Sequence, residues 1–189
     1  QYIRMVFKLT KELAFPDPYQ GEPDGLLAVG GDLSVDRLLL AYSNGIFPWY
    51  AFKTKEILWW CPLDRFVIFP DEIHVSHSMR TLINKRRYEV TFNQAFQDVI
   101  RACGQMREEE EGAWLGPDMI KAYTRLYAQG FAASVEVWDG DKLVGGLYGV
   151  TLGRCFFGES MFSLVPSASK LALIHLARYF SLHKGLMID

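Results

Sequence analysis

From Ser76 onward, apolar and polar positions follow readable periods. Ser76 caps a predicted helix to about Asn84, and Tyr88 to Phe92 read as a strand. Asn93 caps a second helix through Ala102. Pro117 opens a third, with Ile120, Tyr123, Leu126 and Tyr127 at helical spacing and Gly130 beyond its end. Phe131 to Trp138 and Leu143 to Thr151 form a hairpin across the turn Asp139-Gly140-Asp141-Lys142. Arg154 to Glu159 makes a further strand. A helix from about Ser167 to His183 follows, with Leu173, Leu176, Ala177 and Phe180 as its inner stripe, and Leu186 to Asp189 begins a last strand.

Residues 1 to 65 are punctuated differently. Phe15-Pro16-Asp17-Pro18, Glu22-Pro23-Asp24-Gly25 and Gly30-Gly31-Asp32 are turn chemistry. The double glycine feeds a helix from Val35 to Asn44, stopped by Gly45. It lacks the lysine of a P-loop and the spacing of a dinucleotide fingerprint, so it reads as a structural turn. Ile57 to Trp60 and Phe66 to Phe69 are short predicted strands on either side of Cys61-Pro62. The expected organisation is α+β, with a small N-terminal α/β domain over residues 1–65 and a mixed-sheet domain over 66–189.

Half of the 189 residues are hydrophobic and 14% aromatic, enough to bury a core. No apolar run suffices to span a bilayer, and Gln1 to Thr10 lacks the pattern of a signal peptide. The three cysteines, Cys61, Cys103 and Cys155, are odd in number and far apart, which fits a reducing, cytoplasmic setting. His74 and His77 are the only close pair among four histidines and read as surface residues, so no metal is expected. The net charge of −2 conceals two clusters. Glu108 to Glu111 read as a solvated face or loop. Arg80, Lys85, Arg86 and Arg87 gather at a helix end, where a positive patch can meet phosphates.

The densest chemistry lies at Gly158-Glu159-Ser160-Met161-Phe162-Ser163, preceded by Phe156 and Phe157. An ionised carboxylate in apolar company is costly unless paired or hydrogen-bonded. Glu159 is therefore either the polar anchor of an apolar small-molecule pocket or a strand end facing solvent.

Several stretches together carry a specific resemblance. They are Gly25 to Leu33, Gly45-Ile46-Phe47-Pro48-Trp49, Trp59-Trp60-Cys61-Pro62, Ser76 to Met79, Glu136-Val137-Trp138, Val144 to Val150, Gly158 to Ser163 and Ala168-Ser169-Lys170. In order, and over nearly the whole chain, this resembles the leucyl/phenylalanyl-tRNA–protein transferase family. The element order from Tyr88, β-α-α-β-β-β-α-β, resembles the N-acetyltransferase-like (GNAT-like) fold, a mixed sheet splayed near its middle. The resemblance implies transfer of Leu or Phe, with Met as a third donor, from aminoacyl-tRNA to proteins beginning with Arg or Lys. That transfer tags them for degradation by the N-end rule.

It implies an aminoacyl pocket of Leu147, Phe156, Met161, Leu173, Leu176, Phe180 and Ile188, with Glu159 reaching the polar atoms of the aminoacyl group. Catalytic roles fall to Asp189 and Glu159. Trp49 and Trp114 would stack on the terminal adenosine of tRNA, and Arg80, Lys85, Arg86 and Arg87 would hold its phosphates. No cofactor and no membrane are implied, and the chain is expected to be a monomer. The family motif at the last strand continues from Ile-Asp into Cys-Gln, whereas this chain stops at Ile188-Asp189. A fragment or a trimmed chain is therefore expected.

An aminoacyl ester is already activated, so peptide-bond formation needs no ATP, CoA or metal. An α-amine with a pKa near 7.7–8.0 is neutral to the extent of roughly a tenth at pH 7. Orientation and electrostatics then suffice, a task suited to Asp189. Two rivals remain at this stage. An acyl-CoA-dependent N-acetyltransferase would need a glycine-rich pyrophosphate loop, and Ser160 to Ser169 contains no glycine. The other is a tRNA- or peptide-binding module without catalysis.

Overall fold

The computed structural model describes residues 6–50, 56–111 and 116–189. The chain separates into two compact units, one of residues 1–65 and 113–122, the other of 66–112 and 123–189.

The first unit is built on a four-stranded sheet in the order β1-β2-β4-β3, from β1 (Phe7–Leu9), β2 (Leu26–Gly30), β3 (Phe47–Tyr50) and β4 (Ile57–Trp60). β1, β2 and β3 fall where the sequence shows mainly turns and aromatic residues. Pro48 within β3 is tolerated because that strand lies at the sheet edge. Helix α1 (Val35–Ser43) starts where predicted, with Ser34 Oγ accepting from the Arg37 amide at 3.3 Å. Gly30 and Gly31 both have positive φ, 86° and 76°, as a tight turn here requires. Arg37, only 1% exposed, ties that turn down. It donates to Asp32 at 3.2 Å and to the carbonyls of Thr10 and Glu12 at 2.9 and 3.2 Å.

The second unit holds a five-stranded sheet in the order β5-β6-β7-β8-β9. Its strands are β5 (Glu89–Phe92), β6 (Ala132–Asp139), β7 (Lys142–Leu152), β8 (Cys155–Ser163) and β9 (Met187–Ile188). Pairing is antiparallel through β8, after which helix α5 (Ala168–Leu182) crosses over and β9 joins β8 in parallel. This is the mixed α+β order, β-α-α-β-β-β-α-β, expected from the sequence. Val135, Val137, Val144, Leu147 and Phe156 from the sheet pack with Leu171, Ala172, Ile174 and Leu176 of α5 as one core. Gly145 is required there, since a Cβ would overlap Ala168 at the start of α5. Helices α2 (His77–Lys85), α3 (Phe96–Glu111) and α4 (Pro117–Ala128) complete the elements.

Four expectations need correction. Phe66 to Phe69 is not a strand: Ile68 alone makes an antiparallel bridge, to Ile188, and Pro70 then turns the chain into a short 3₁₀ helix. β8 runs on to Ser163, because the ladder with β7 continues past Glu159. α3 extends to Glu111, so the acidic run lies on a helix. Asn93 does not cap α3. It sits in the left-handed region at φ 56° and its side chain accepts from the Ser134 amide at 2.9 Å.

The start of α3 is secured instead from across the sheet. Glu136 of β6, fully buried, accepts from the amides of Gln94 and Ala95 at 2.6 and 2.5 Å and from Ser134 Oγ at 3.2 Å. A carboxylate serving donors this closely is a charge-assisted anchor. Replacing Glu136 with Gln keeps an oxygen for the two amides, which share Oε1, but removes the charge that strengthens those bonds. The unfolding free energy should fall by about 1–3 kcal/mol in urea titrations, and an unchanged midpoint would show that the carboxylate is not the anchor.

Candidate active site

The site arises where β8 and β9 stop running together. They pair only at Cys155 with Met187 and Phe156 with Ile188. Two further bonds close the junction: the Asp189 amide donates to the Phe156 carbonyl, and the Gly158 amide to the Asp189 carbonyl, both at 2.8 Å. Beyond Gly158, β8 continues with β7 alone, and a cavity of about 420 Å³ lies beside it. That is within the usual range for small-molecule sites. Phe66, Ile68, Leu147, Phe156, Met161, Leu173 and Ile188 give it apolar walls, and Arg107, Tyr148, Glu159, Ser160 and Asp189 its polar groups.

Glu159 occupies a special place on β8. Tyr148 of β7 faces Ser160 and Gly149 faces Gly158, so Glu159 is the surplus residue of a β-bulge. Bulges re-aim a side chain out of the regular alternation. Half-buried Glu159 lines the cavity, which decides against a strand end facing solvent. Arg107, from α3, donates to the Glu159 carbonyl at 3.0 Å and to Ser160 Oγ at 3.1 Å.

Two buried groups beneath the polar wall are held in their neutral forms. Burial drives the Tyr148 phenol well above its ordinary range, and the negative charge of Glu159 adds to the effect. Burial likewise pushes the Cys103 thiol up to about 12, against the opposing pull of a hydrogen bond with Ser160 and the charge of Arg107. Neither is a base or nucleophile near neutral pH. Among the described residues, no group of three or more His, Cys, Asp or Glu stands together to hold a metal ion. No described helix is long and apolar enough to cross a membrane.

Of the residues singled out from sequence, Leu147, Phe156, Met161, Leu173, Ile188, Glu159 and Asp189 line this one cavity. Leu176 and Phe180 stand behind it: Leu176 belongs to the core, and the Phe180 ring meets Phe156 edge-on at 6.0 Å. Trp49 lies on β3 in the first unit, and Trp114 falls outside the described residues. Arg80, Lys85, Arg86 and Arg87 are all exposed around the end of α2, away from the cavity lining. Arg86 takes a left-handed conformation there, and Arg87 lies 3.6 Å from Asp139 and over the Tyr88 ring. Sequence reasoning missed Arg107, Tyr148, Phe66, Ile68 and Met106. Ending α3 at Ala102 left Arg107 without a place, and only its helical spacing from Cys103 hinted at a shared face.

A profile described as leucyl/phenylalanyl-tRNA protein transferase matches residues 67–189, and one for that protein's N-terminal domain matches 31–63. A leucyl/phenylalanyl-tRNA–protein transferase of Syntrophobacter fumaroxidans is 56% identical over 172 residues, covering 90% of this chain and 73% of the relative. One of Flavobacterium psychrophilum is 52% identical over 182 residues, covering 96% and 86%. Among solved structures, an aminoglycoside acetyltransferase from an uncultured soil metagenomic sample, in complex with sisomicin, matches with a TM-score of 0.43. Its sequence identity is 14%, over 55% of this chain and 76% of that one.

The buried thiol offers a direct test of how closed the cavity floor is. With Cys103 held up to about 12 by burial, the thiolate is scarce at pH 8 and iodoacetamide should leave it unlabelled in the native chain. Peptide mapping should find it labelled only in urea. Native labelling would mean that the floor beneath Ser160 opens.

Proposed function

The chain belongs to the leucyl/phenylalanyl-tRNA–protein transferase family, and from that premise we propose how its cavity performs the transfer. It is an aminoacyltransferase that moves an amino acid from aminoacyl-tRNA to the N-terminus of a protein. The donors are Leu-tRNA and Phe-tRNA, with Met-tRNA a third, and the acceptors are proteins beginning with Arg or Lys. Transfer marks those proteins for degradation by the N-end rule, in the cytoplasm, and the enzyme works as a monomer with residues 1–65 and 66–189 as its domains.

The carrying observation is that Glu159 and Asp189 share one cavity with Leu147, Phe156, Met161, Leu173 and Ile188. The donor's aliphatic or benzyl side chain enters the apolar end, where Met161 lends adaptability. A hydrophobic slot separates side chains differing by one methylene by only about 1–3 kcal/mol, so rejection of Ile and Val rests on narrowing at Cβ. Glu159 holds the polar atoms of the aminoacyl group. The acceptor's neutral α-amine attacks the ester carbon, the bond to the ribose oxygen of tRNA breaks, and the proton the amine loses ends on that oxygen, which leaves as the ribose hydroxyl. Asp189 orients the amine, and the two carboxylates favour the cationic side chain of Arg or Lys. Trp49 and Trp114 stack on the terminal adenosine, worth about 1–3 kcal/mol per base. Arg80, Lys85, Arg86 and Arg87 meet the phosphates.

A CoA-dependent acetyltransferase fits less well. The crossover from β8 to α5 contains no glycine, and the Ser169 amide, one a pyrophosphate would use, already donates to Ser163 Oγ at 2.7 Å.

Incubation with labelled Leu-tRNA, acetyl-CoA and an Arg-ended peptide should transfer leucine and leave acetyl groups in place; acetylation would overturn the reading. Glu159→Ala should lower transfer by about 10²-fold or more, as loss of one well-placed polar contact does, with an unchanged circular dichroism spectrum. Near-normal transfer would remove Glu159 from the site. Reversing the charges of Arg86 and Arg87 should reduce the slope of log affinity for tRNA against log salt by about one to two; an unaltered slope would move the tRNA footprint elsewhere.

A further inference from the structure

We propose that Arg107 is the positioning residue of this site: its guanidinium bridges the Glu159 carbonyl and Ser160 Oγ at the β8 bulge and so aims Glu159 into the cavity. This rests on the role given to Glu159 above. As the surplus residue between the pairs Tyr148–Ser160 and Gly149–Gly158, Glu159 has its carbonyl off the regular ladder with β7. That carbonyl is met by Arg107 at 3.0 Å, while the same guanidinium holds Ser160 Oγ at 3.1 Å. A planar fork with donors in fixed directions can bridge two acceptors on consecutive residues, whereas an ammonium on a flexible stem cannot fix both.

The bridge fixes register as well as direction. Without it, the surplus residue is free to be absorbed, and a one-residue slip reverses the faces of every following position in a strand. Phe162 is buried at 2% exposure and Met161 lies at 47%, an alternation that holds only with the bulge in place. The anchor is itself anchored: α3 is fixed at its start by Glu136 through the amides of Gln94 and Ala95. Arg107 reaches β8 about three turns further along that helix. The cation also acts through space, opposing the upward shifts of both Tyr148 and Cys103.

The apolar walls Leu147, Phe156, Leu173 and Ile188 make no use of Arg107, so its loss should strike turnover more than donor binding. The test is steady-state transfer of leucine from Leu-tRNA to an Arg-ended peptide. It compares the wild-type chain, Arg107→Gln, Arg107→Lys, Glu159→Gln and both double variants, with melting temperature as the folding control. Arg107→Gln should lower kcat by about tenfold or more, a modest misplacement being costly at a reacting centre, and leave the donor KM within about twofold. Arg107→Lys, which keeps the charge but loses the fork, should fall between. Each double variant should be no worse than Glu159→Gln within about twofold, as expected if Arg107 acts through Glu159.

Multiplying losses, wild-type turnover in Arg107→Gln, or an effect confined to KM would each overturn the proposal. If Arg107→Gln fails to fold, the Arg107→Lys cycle carries the same comparison. A fully active Glu159→Gln would instead sink the role of Glu159 itself, and Arg107's with it. An impaired Glu159→Gln with multiplying losses would sink only the positioning role.

Discussion

A β-sheet that parts between β8 and its edge strand β9 must satisfy the backbone groups it abandons, and the cavity depends on how this chain does so. Unpaired amides and carbonyls at a strand junction cost about 1–3 kcal/mol each when buried. The junction here is sealed from both sides. The Asp189 amide donates to the Phe156 carbonyl and the Gly158 amide to the Asp189 carbonyl across the point of parting, and Arg107 meets the carbonyl displaced by the bulge. Every polar group of the cavity wall on β8 is a consequence of that closure.

Helix α3 connects the sheet to the site. At one end Glu136 grips the residues leading into it, and Phe96, Val99, Ile100 and Cys103 bury its inner face. At the other, Arg107 reaches β8. A fully buried carboxylate is a costly group unless its donors are close and several, and Glu136 has two amides and two hydroxyls, those of Ser134 and Thr91, within hydrogen-bond distance. The helix is consequently referenced to β6 and the bulge to the helix, which gives a side chain on a strand edge the rigidity that functional groups require.

Periodicity made the second unit readable because its strands alternate and its helices show clear stripes. Ser76 acts as a cap where the sequence placed it. The first unit was obscured by its turns: β2 (Leu26–Gly30) sits between glycine-rich segments and β3 contains a proline, signals that normally argue against a strand. The bulge was invisible for a different reason. A surplus residue is defined by its partner strand, and Glu159 looks in sequence like the end of a strand that in fact continues to Ser163. Arg107 escaped for the same cause, as its partners lie more than fifty positions away. The family motifs brought most of the cavity wall together in advance. What they did not provide was the distinction between Leu173, on the wall, and Leu176 and Phe180, behind it.

The protonation states around the cavity narrow the chemistry that the proposed transfer can use. Tyr148 stays a phenol and Cys103 a thiol, both through burial. Arg107 is a permanent cation. That leaves the carboxylates of Glu159 and Asp189 as the groups able to meet an incoming amine. A weak base is adequate when the donor is an activated ester and on the order of a tenth of the acceptor amine is already neutral at pH 7. Under that reading the rate depends on alignment more than on proton abstraction, and alignment is what the bulge, its guanidinium and the closed β8–β9 junction secure.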